Sequence, residues 1–475
     1  MALVLAGFLG LLCLLPLRTT VQIGADEGFE LAKATSCLKG QKLYTQIWND
    51  QPPLHTFVII QVLRAGSGSI LGPRLVTIGF SVVLICALFV AGMWFRGLVT
   101  ALLWSMMVVG SPGFLELGSS CMLEIPSLAL AVVGLIVFVW GIETNRRSLE
   151  VLSGLCFGAA TLMKLVPIYL LPLVIIMAWA RRRHAEASVR TVVKSLTAFA
   201  IGVTVGIVFI DLLLEKGAYF IHFQQSWVSH FGAARSSAYG SAQNYPFQWQ
   251  VFLKHWDAVI PAGIGVVVCV REGRRNIKAY LPPIYLALAL LVFTVHKPWW
   301  PYYYVHTVIP LCWCAATGLH TATRVPSRRN RLLMSLVIFY GLCALPWVAG
   351  RVYLQAEGIR RSPQVSGELV LAEIERLRPF TTTMFTAAPI YSFHAGIPMP
   401  GRLAVLPLKR FWSGEMTSER IEKELRATKP EIILLTNDDL YVPFQDLLSA
   451  EYRLTYIDAN HRLYALHATA KAAGL

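Results

Sequence analysis

Two adjacent carboxylates, Asp26 and Glu27, follow closely after the first apolar block of the chain. A carboxylate held at a membrane boundary can take the proton from an attacking hydroxyl group, which is the work of a general base. An acidic pair near lipid headgroups is equally consistent with simple solvation. The two residues by themselves therefore leave a catalytic and a solvated interpretation open.

Several basic or ionisable side chains could meet a negatively charged group at the same level. Lys164 lies between two short apolar blocks, where a lysine is costly enough to favour a function or a paired carboxylate. Lys297 could equally extend its ammonium group to the interface, and Arg74 could simply anchor the end of an apolar segment. The position of His55 favours a residue that caps an interfacial helix over one with a catalytic role.

Tyr303 and Tyr304 belong to a dense aromatic run at residues 299–304. Trp and Tyr are enriched where a membrane meets water, so an interfacial belt is the simplest explanation of this run. Aromatic faces also stack on sugars, and a role of these two tyrosines in binding stays open.

The elements that must position these residues are apolar helices. Of the 475 residues, 55% are apolar and only 15% are charged, and the apolar residues form long blocks. A helix of about 17–25 apolar residues crosses a bilayer with its backbone polar groups satisfied internally. The sequence predicts an α-helical polytopic membrane protein with about eleven spans. They are residues 1–17, 75–95, 98–114, 126–142, 151–163, 165–180, 195–213, 256–270, 280–295, 302–320 and 332–350.

The net charge of +15 does not indicate a nucleic-acid partner, because the basic residues cluster in short turns between apolar blocks. With a cytoplasmic N-terminus, about sixteen Lys and Arg fall in about forty inside positions, against about eleven in about 120 outside positions. The opposite orientation inverts this ratio. We interpret residues 1–17 as an uncleaved first span, because no basic stretch precedes them.

This orientation predicts large outer loops at residues 18–74, 111–125 and 214–255. The apolar stretch 54–63 is too short to span and is expected to lie at the outer interface. After residue 351 polar residues return, and short apolar runs alternate with a helical pattern. We expect a transmembrane domain at 1–350 and a small extracytoplasmic α/β domain at 351–475.

An ordered set of short motifs resembles the GT-C superfamily of polyprenyl-phosphate-dependent glycosyltransferases, most closely its protein O-mannosyltransferase and aminoarabinose transferase branch. Asp-Glu-Gly at 26–28, Gly-x-x-x-Tyr at 40–44 and Asp-Gln-Pro-Pro-Leu at 50–54 occur in that family's order. Further similar segments are 72–75 around Arg74, 122–126 around Glu124, the Gly-rich 154–164 that ends in Lys164, and 296–298 with the tyrosines at 302–304.

The resemblance implies a GT-C-like fold and an inverting transfer of sugar from a polyprenyl-phosphate-linked donor. It implies that Asp26 is the general base and that Glu27 and Glu124 orient the base or the acceptor. The family often has Asp in the second loop, so Glu124 is a departure. The resemblance also implies that donor and phosphate are bound by Lys164, Lys297, Arg74, His55, Tyr303 and Tyr304.

The implied partners are a lipid-linked sugar donor, membrane lipids and an acceptor that is a lipid, a protein or a surface polymer. The implied location is the plasma (inner) membrane, with the N-terminus in the cytoplasm. No cofactor is expected, although a divalent metal is not excluded. A transporter or lipid flippase is the alternative function, but we find no internal repeat of the kind many transporters have. An inactive scaffold is a third possibility.

Overall fold

The computed structural model describes residues 1–66, 68–184, 188–215, 219–228, 245–274, 276–324, 330–361, 364–436 and 441–475. Helices dominate the first three quarters of the chain. They are α1 (Ala2–Cys13), α2 (Glu27–Leu38), α3 (Leu54–Ala65), α4 (Leu71–Arg96), α5 (Leu98–Val109), α6 (Phe114–Ser119), α7 (Glu124–Thr144), α8 (Arg147–Met163), α9 (Leu171–His184), α10 (Val189–Glu215), α11 (Tyr219–His222), α12 (Gln250–Lys254), α13 (Trp256–Gly273), α14 (Leu281–Val295), α15 (Tyr304–Arg324) and α16 (Asn330–Arg361).

The C-terminal part mixes short helices with four strands. They are α17 (Gln364–Leu377), β1 (Met384–Thr386), α18 (Ile390–Ala395), α19 (Leu408–Trp412), α20 (Ser418–Thr428), β2 (Ile432–Leu435), α21 (Tyr441–Glu451), β3 (Tyr452–Ile457), β4 (Arg462–Leu466) and α22 (His467–Ala472). Single helical turns of the 3-10 type precede α9, α14 and α15, and a π-helix (Phe223–Val228) follows α11.

Each predicted span coincides with a helix, and the chain is a multi-pass membrane protein with several apolar helices. Within the described residues, five helical stretches are long and apolar enough to cross a bilayer by themselves, among them Leu71–Arg96 and Glu124–Thr144. Others, such as α1 and α5, are apolar but shorter. The count of eleven spans therefore stays a prediction. The expected short helix after residue 54 is α3, which has 12 residues.

Small residues bring two pairs of membrane helices into backbone contact. Gly154 and Gly158 of α8 face Gly202 and Gly206 of α10, and a Cβ on Gly154 would lie 2.1 Å from the carbonyl oxygen of Phe199. The α13–α15 crossing is similarly tight, because a Cβ on Gly265 would lie 1.8 Å from a carbonyl oxygen of α15. Close packing of this kind replaces the hydrophobic effect, which is weak between helices in lipid.

The strands form one sheet in the order β1-β2-β4-β3, and the predicted small α/β unit is present. β1 pairs with β2 in parallel, with Phe385 opposite Ile433, whereas β2–β4 and β3–β4 are antiparallel. All four residues of β2 are buried, as the apolar run after Pro430 predicts. Helix α16 precedes this C-terminal part and runs without a break from Asn330 to Arg361.

The sheet unit shares its hydrophobic core with the first outer loop. One buried cluster joins Leu31 of α2 and Ile59 of α3 to Val370 and Ile390 of the C-terminal part. Gly28 lies so close to α18 that an added Cβ would be 2.9 Å from the backbone nitrogen of Ile390. The C-terminal unit is therefore packed directly on the loop that carries the Asp26–Glu27 pair.

A buried ion pair fixes this loop to the membrane helices. Arg74 of α4 donates from Nε and Nη2 to the two carboxylate oxygens of Glu27, at 2.9 and 2.8 Å. Its Nη1 donates to the carbonyl oxygens of Leu17 and Thr20. The backbone amide of Cys121 completes the coordination of Glu27 at 2.9 Å. Neither charged side chain is exposed to solvent.

Replacement of Arg74 by methionine tests the importance of this pair. In Arg74→Met the carboxylate of Glu27 stays buried without its counter-charge, which is expected to cost about 3–5 kcal/mol of stability. Arg378→Met is the matched control, because Arg378 pairs with Glu375 in solvent and such pairs contribute about 1 kcal/mol or less. Thermal unfolding of the two purified variants in detergent measures the difference. Equal losses of stability in Arg74→Met and Arg378→Met would show that the buried pair does not hold the loop.

Candidate active site

Asp26 lies at the N-terminal end of α2, but its side chain does not cap that helix. It occupies the N-cap position without a capping hydrogen bond from its carboxylate. An aspartate is favoured here because its charge lies at the positive end of the helix. The carboxylate instead accepts a hydrogen bond from the hydroxyl group of Tyr302, which lies in the turn before α15. Asp26 is thus directed toward the membrane helices.

Glu124 and Lys164 form an ion pair beside Asp26. Glu124 is the first residue of α7, Lys164 follows the last residue of α8, and both side chains are buried. The ammonium nitrogen of Lys164 also lies 5.1 Å from the ring centroid of Tyr302 and 5.3 Å from that of Tyr303. The second carboxylate oxygen of Glu124 is buried and has no hydrogen-bond partner among the described residues. That oxygen is therefore an unsatisfied hydrogen-bond acceptor beside Lys164.

The electrostatics of this cluster act on the proton affinity of Asp26. Burial raises the pKa of Asp26, and the negative charge of Glu124 raises it further. The charge of Lys164 and the hydrogen bond from Tyr302 oppose the rise without cancelling it. Asp26 therefore binds a proton more readily than an exposed aspartate, which is a property suited to a general base.

A second buried network lies along α2, next to this cluster. Lys33 donates to Glu30 at 2.7 Å and to the side-chain oxygen of Asn49 at 2.9 Å. His55 Nδ1 lies 3.2 Å from the other oxygen of Glu30. Burial alone would raise the pKa of Glu30, but Lys33 and His55 outweigh it and lower the pKa to about 2. The network joins α2 to the 49–55 segment through charge.

The structure does not bring Arg74 into the cluster around Asp26. Its guanidinium donors are directed to Glu27 and to two backbone carbonyl oxygens, so they do not face a ligand. Glu27 is likewise enclosed by Arg74 and backbone amides, which makes it a residue that positions Asp26. His55 lies in the Glu30 network, and its Nε2 is buried without a hydrogen-bond partner among the described residues.

The remaining predicted binding residues lie at different places. Tyr303 faces Lys164, as described, and its ring also contacts Phe293 at 5.7 Å. The hydroxyl group of Tyr304 instead lies 3.0 Å from His255 Nδ1, on the α13 side of the bundle. Lys297 is exposed on the turn between α14 and α15. Tyr303 thus adjoins the Asp26 cluster through Lys164.

Two residues that the sequence reasoning did not select complete the cluster. Tyr302 is one of them, and nothing in the sequence distinguishes it from the other aromatic residues of the run 299–304. Lys409 of α19 is the other, and it forms an ion pair with Asp50 and lies 5.6 Å from the ring centroid of Trp48. Burial lowers the pKa of Lys409 and the charge of Asp26 opposes that change, so the two side chains interact electrostatically. The C-terminal unit thus contributes a cation.

An aromatic patch adjoins Lys409. Trp412 of α19 lies parallel to Trp300 at 6.4 Å, and Tyr245 contacts both rings at 5.0 and 5.4 Å. The guanidinium group of Arg410 lies 4.8 Å from the ring centroid of Trp48. Four separate segments of the chain therefore contribute aromatic rings to the surroundings of α19.

No group of three or more His, Cys, Asp or Glu side chains suited to a metal ion occurs within the described ranges. The charged groups near Asp26 are instead arranged as carboxylate and ammonium partners. The expectation that no cofactor is required stays a prediction.

Comparisons with solved structures identify proteins of the same fold. The chain aligns with ArnT from Cupriavidus metallidurans bound to undecaprenyl phosphate at a TM-score of 0.66 and 13% identity, over 98% of both chains. It aligns with the Archaeoglobus fulgidus oligosaccharyltransferase in its apo form at a TM-score of 0.60 and 12% identity, over 98% of this chain and 74% of that one. The oligosaccharyltransferase AglB of that organism, in complex with an inhibitory peptide and a dolichol-phosphate, aligns at a TM-score of 0.57 and 10% identity. This alignment covers 92% of this chain and 69% of that one.

These likenesses show that the chain has the fold of ArnT and of the archaeal oligosaccharyltransferase, which confirms the fold that the resemblance implies. At identities of 10–13% they show the fold of this chain and not its substrate. No protein-family model and no curated protein matches the sequence.

Proposed function

We propose that this protein is an inverting glycosyltransferase that moves a sugar from a polyprenyl-phosphate-linked donor to a hydroxyl acceptor. The observation that carries the proposal is the cluster of half-buried Asp26 and Tyr302 with the buried ion pair of Glu124 and Lys164. It combines a base, a second carboxylate and a cation where membrane helices end. A lipid phosphate lies at this level while its tail stays in the bilayer.

Asp26 acts as the general base in this reaction. It takes the proton of the acceptor hydroxyl as the oxygen attacks the anomeric carbon of the donor, on the face opposite the phosphate. The carbon–oxygen bond to the polyprenyl phosphate breaks, and the electron pair leaves with the phosphate. The unpartnered oxygen of Glu124 accepts a hydrogen bond from the sugar or the acceptor and so orients it.

Lys164 and Lys409 stabilise the departing phosphate. Negative charge develops on it in the transition state, and preorganised cations in a buried site stabilise such charge strongly. Lys164 is held by Glu124 and by the rings of Tyr302 and Tyr303, so its ammonium group needs little reorganisation. Lys297 is a peripheral candidate, while Arg74 and Glu27 support the loop that carries Asp26. The aromatic patch of Trp300 and Trp412 supplies faces for a sugar or a prenyl unit.

The site is proposed to face the outer side of the plasma membrane. Support comes from the bias of Lys and Arg toward the loops that do not carry Asp26. The C-terminal α/β domain lies on the same side in this proposal, because its hydrophobic core includes residues of the first outer loop. No metal is assigned a role, and full activity in the presence of a chelator is the corresponding expectation.

Replacement of Asp26 by asparagine tests the proposed base. Asp26→Asn keeps the size of the side chain and removes its basicity, so transfer is expected to fall about 10²–10⁴-fold. The assay supplies proteoliposomes with a radiolabelled polyprenyl-phosphate sugar and an envelope extract as the acceptor source. Asp446→Asn, an exposed carboxylate on α21, is the control and should leave the rate unchanged.

A stable Asp26→Asn protein with the wild-type rate would disprove the role of Asp26. Wild-type protein that neither transfers nor hydrolyses sugar from any such donor would instead favour a transporter or flippase.

The acid limb of the pH–rate profile provides a second test. The deprotonated form of Asp26 is the active one, and its raised pKa places the loss of activity at higher pH than for an exposed aspartate. Glu124 raises this pKa and Lys164 lowers it. In Glu124→Gln the limb should therefore move to lower pH, and in Lys164→Met to higher pH, even though both rates fall. Shifts of the same sign would contradict the assignment of the limb to Asp26.

Lys409 tests whether the C-terminal unit completes the site. Lys409→Met removes one charge-assisted contact to the donor phosphate, which is expected to raise the KM for the donor about tenfold. Lys423→Met is the matched control, because Lys423 lies exposed on the next helix, α20. An unchanged KM in Lys409→Met would place Lys409 outside the donor site.

A further inference from the structure

A cavity of about 620 Å³ opens in the helix bundle at the end remote from Asp26. Arg74 and Glu124 lie at the N-terminal ends of α4 and α7. The cavity is lined by the C-terminal halves of these two helices together with residues of α9, α14 and α15. Its walls are aliphatic and aromatic, with Leu88, Leu135, Met177 and Trp313 among the lining residues. Its volume is within the range of typical ligand sites, and its apolar lining suits a hydrocarbon chain.

The mouth of the cavity carries two ion pairs between different elements. Arg96 at the end of α4 pairs with Glu272 of α13, and Lys278 in the turn before α14 pairs with Glu143 of α7. Glu272 and Lys278 are each 48% exposed, so the pairs are open to solvent. Because such pairs contribute little net energy, a ligand that satisfies both signs of charge can open them at small cost.

A layer of aromatic rings separates this cavity from the Asp26 cluster. Tyr285 lines the cavity, and its hydroxyl group lies 3.5 Å from that of Tyr169. The ring of Tyr169 packs on Phe293 at 5.5 Å, and Phe293 packs on Tyr303 at 5.7 Å. Tyr303 then faces Lys164. These rings therefore lie between the cavity and the Asp26 cluster, and none of the residues of that cluster lines the cavity.

We propose that this cavity binds one acyl chain of a glycerophospholipid whose headgroup is phosphoethanolamine. The chain fills the apolar cavity, and the headgroup lies at the mouth. Its phosphate is bound by Arg96 and Lys278, and its ammonium group donates hydrogen bonds to Glu143 and Glu272.

The charges at the mouth select this headgroup. A purely anionic lipid would place its charge next to two carboxylates and leave them without partners, which is unfavourable. A phosphocholine headgroup has both signs of charge, but its quaternary nitrogen has no N–H group to donate to Glu143 or Glu272. A primary ammonium group has three such donors, as lysine has. The bound lipid would thereby join α4, α7, α13 and the turn before α14.

Ligand-dependent stability and native mass spectrometry test this proposal on the full-length protein. Delipidated protein in detergent is titrated with phosphatidylethanolamine, phosphatidylglycerol or phosphatidylcholine of the same acyl composition. One bound phosphatidylethanolamine and a saturable rise in Tm are expected, with binding about tenfold tighter than for either other lipid. Equal binding of phosphatidylglycerol, or retention of a polyprenyl phosphate in place of the phospholipid, would overturn the proposal.

Two variants that fill the cavity locate the site. Ala91→Phe and Ile136→Phe place a ring in the lining and should each weaken binding about tenfold or more. Val90→Phe is the control, because Val90 is 50% exposed on the outside of the same helix, and its binding should match the wild type. Wild-type affinity in both filled variants would show that the lipid binds elsewhere.

The double variant Glu143→Gln with Glu272→Gln tests the headgroup without filling the cavity. Neutral side chains should remove the preference for phosphatidylethanolamine over phosphatidylcholine, and an unchanged preference would contradict the proposal. Because all these measurements report lipid binding, they give a result whether or not the protein transfers sugar.

Discussion

The buried pair of Glu27 and Arg74 is the constraint on which the site depends. Two opposite charges without solvent are stable only when all their hydrogen-bonding atoms have partners, and here backbone groups of two segments, residues 17–23 and Cys121, supply the remaining ones. Residue 26 is adjacent to this fixed point, so its carboxylate has little freedom to move. The pair thus holds a base in place without taking part in the reaction.

Around this point the chain assembles one site from distant segments. α2 supplies the proposed base, the ends of α7 and α8 supply Glu124 and Lys164, and the turn before α15 supplies the tyrosines. The C-terminal unit adds Lys409 and the aromatic face of Trp412. A second buried cluster joins Ile47 of the first outer loop to Val405, and Phe411 of α19 packs against it, which positions this short helix. The tight glycine crossings of the membrane helices give these contributions a rigid base.

Much of this arrangement could be predicted from the sequence. Apolar length located the membrane helices, and short apolar runs between helical patterns predicted the small α/β unit at the C-terminal end. The ordered motifs pointed to Asp26, Glu124 and Lys164, which the structure brings together, although their roles are untested. The residue types alone do not distinguish Asp26 from Glu27, and only the family resemblance assigns them different roles. In the structure the difference is physical, because Arg74 encloses the carboxylate of Glu27. Tyr302 and Tyr304 are two positions apart and face different sides of the bundle, Tyr302 toward Asp26 and Tyr304 toward His255.

Lys409 had no signal in the sequence, because its role arises from the docking of two parts that are far apart in the chain. That docking has a consequence for biosynthesis. A nascent chain released from the ribosome after α16 would contain every membrane helix and Asp26, but it would lack the cation and the aromatic face of α19. If these groups complete the site as proposed, the growing polypeptide stays inactive until its last quarter has emerged and folded back on its beginning. Truncated products would then occupy the membrane without consuming lipid-linked sugar.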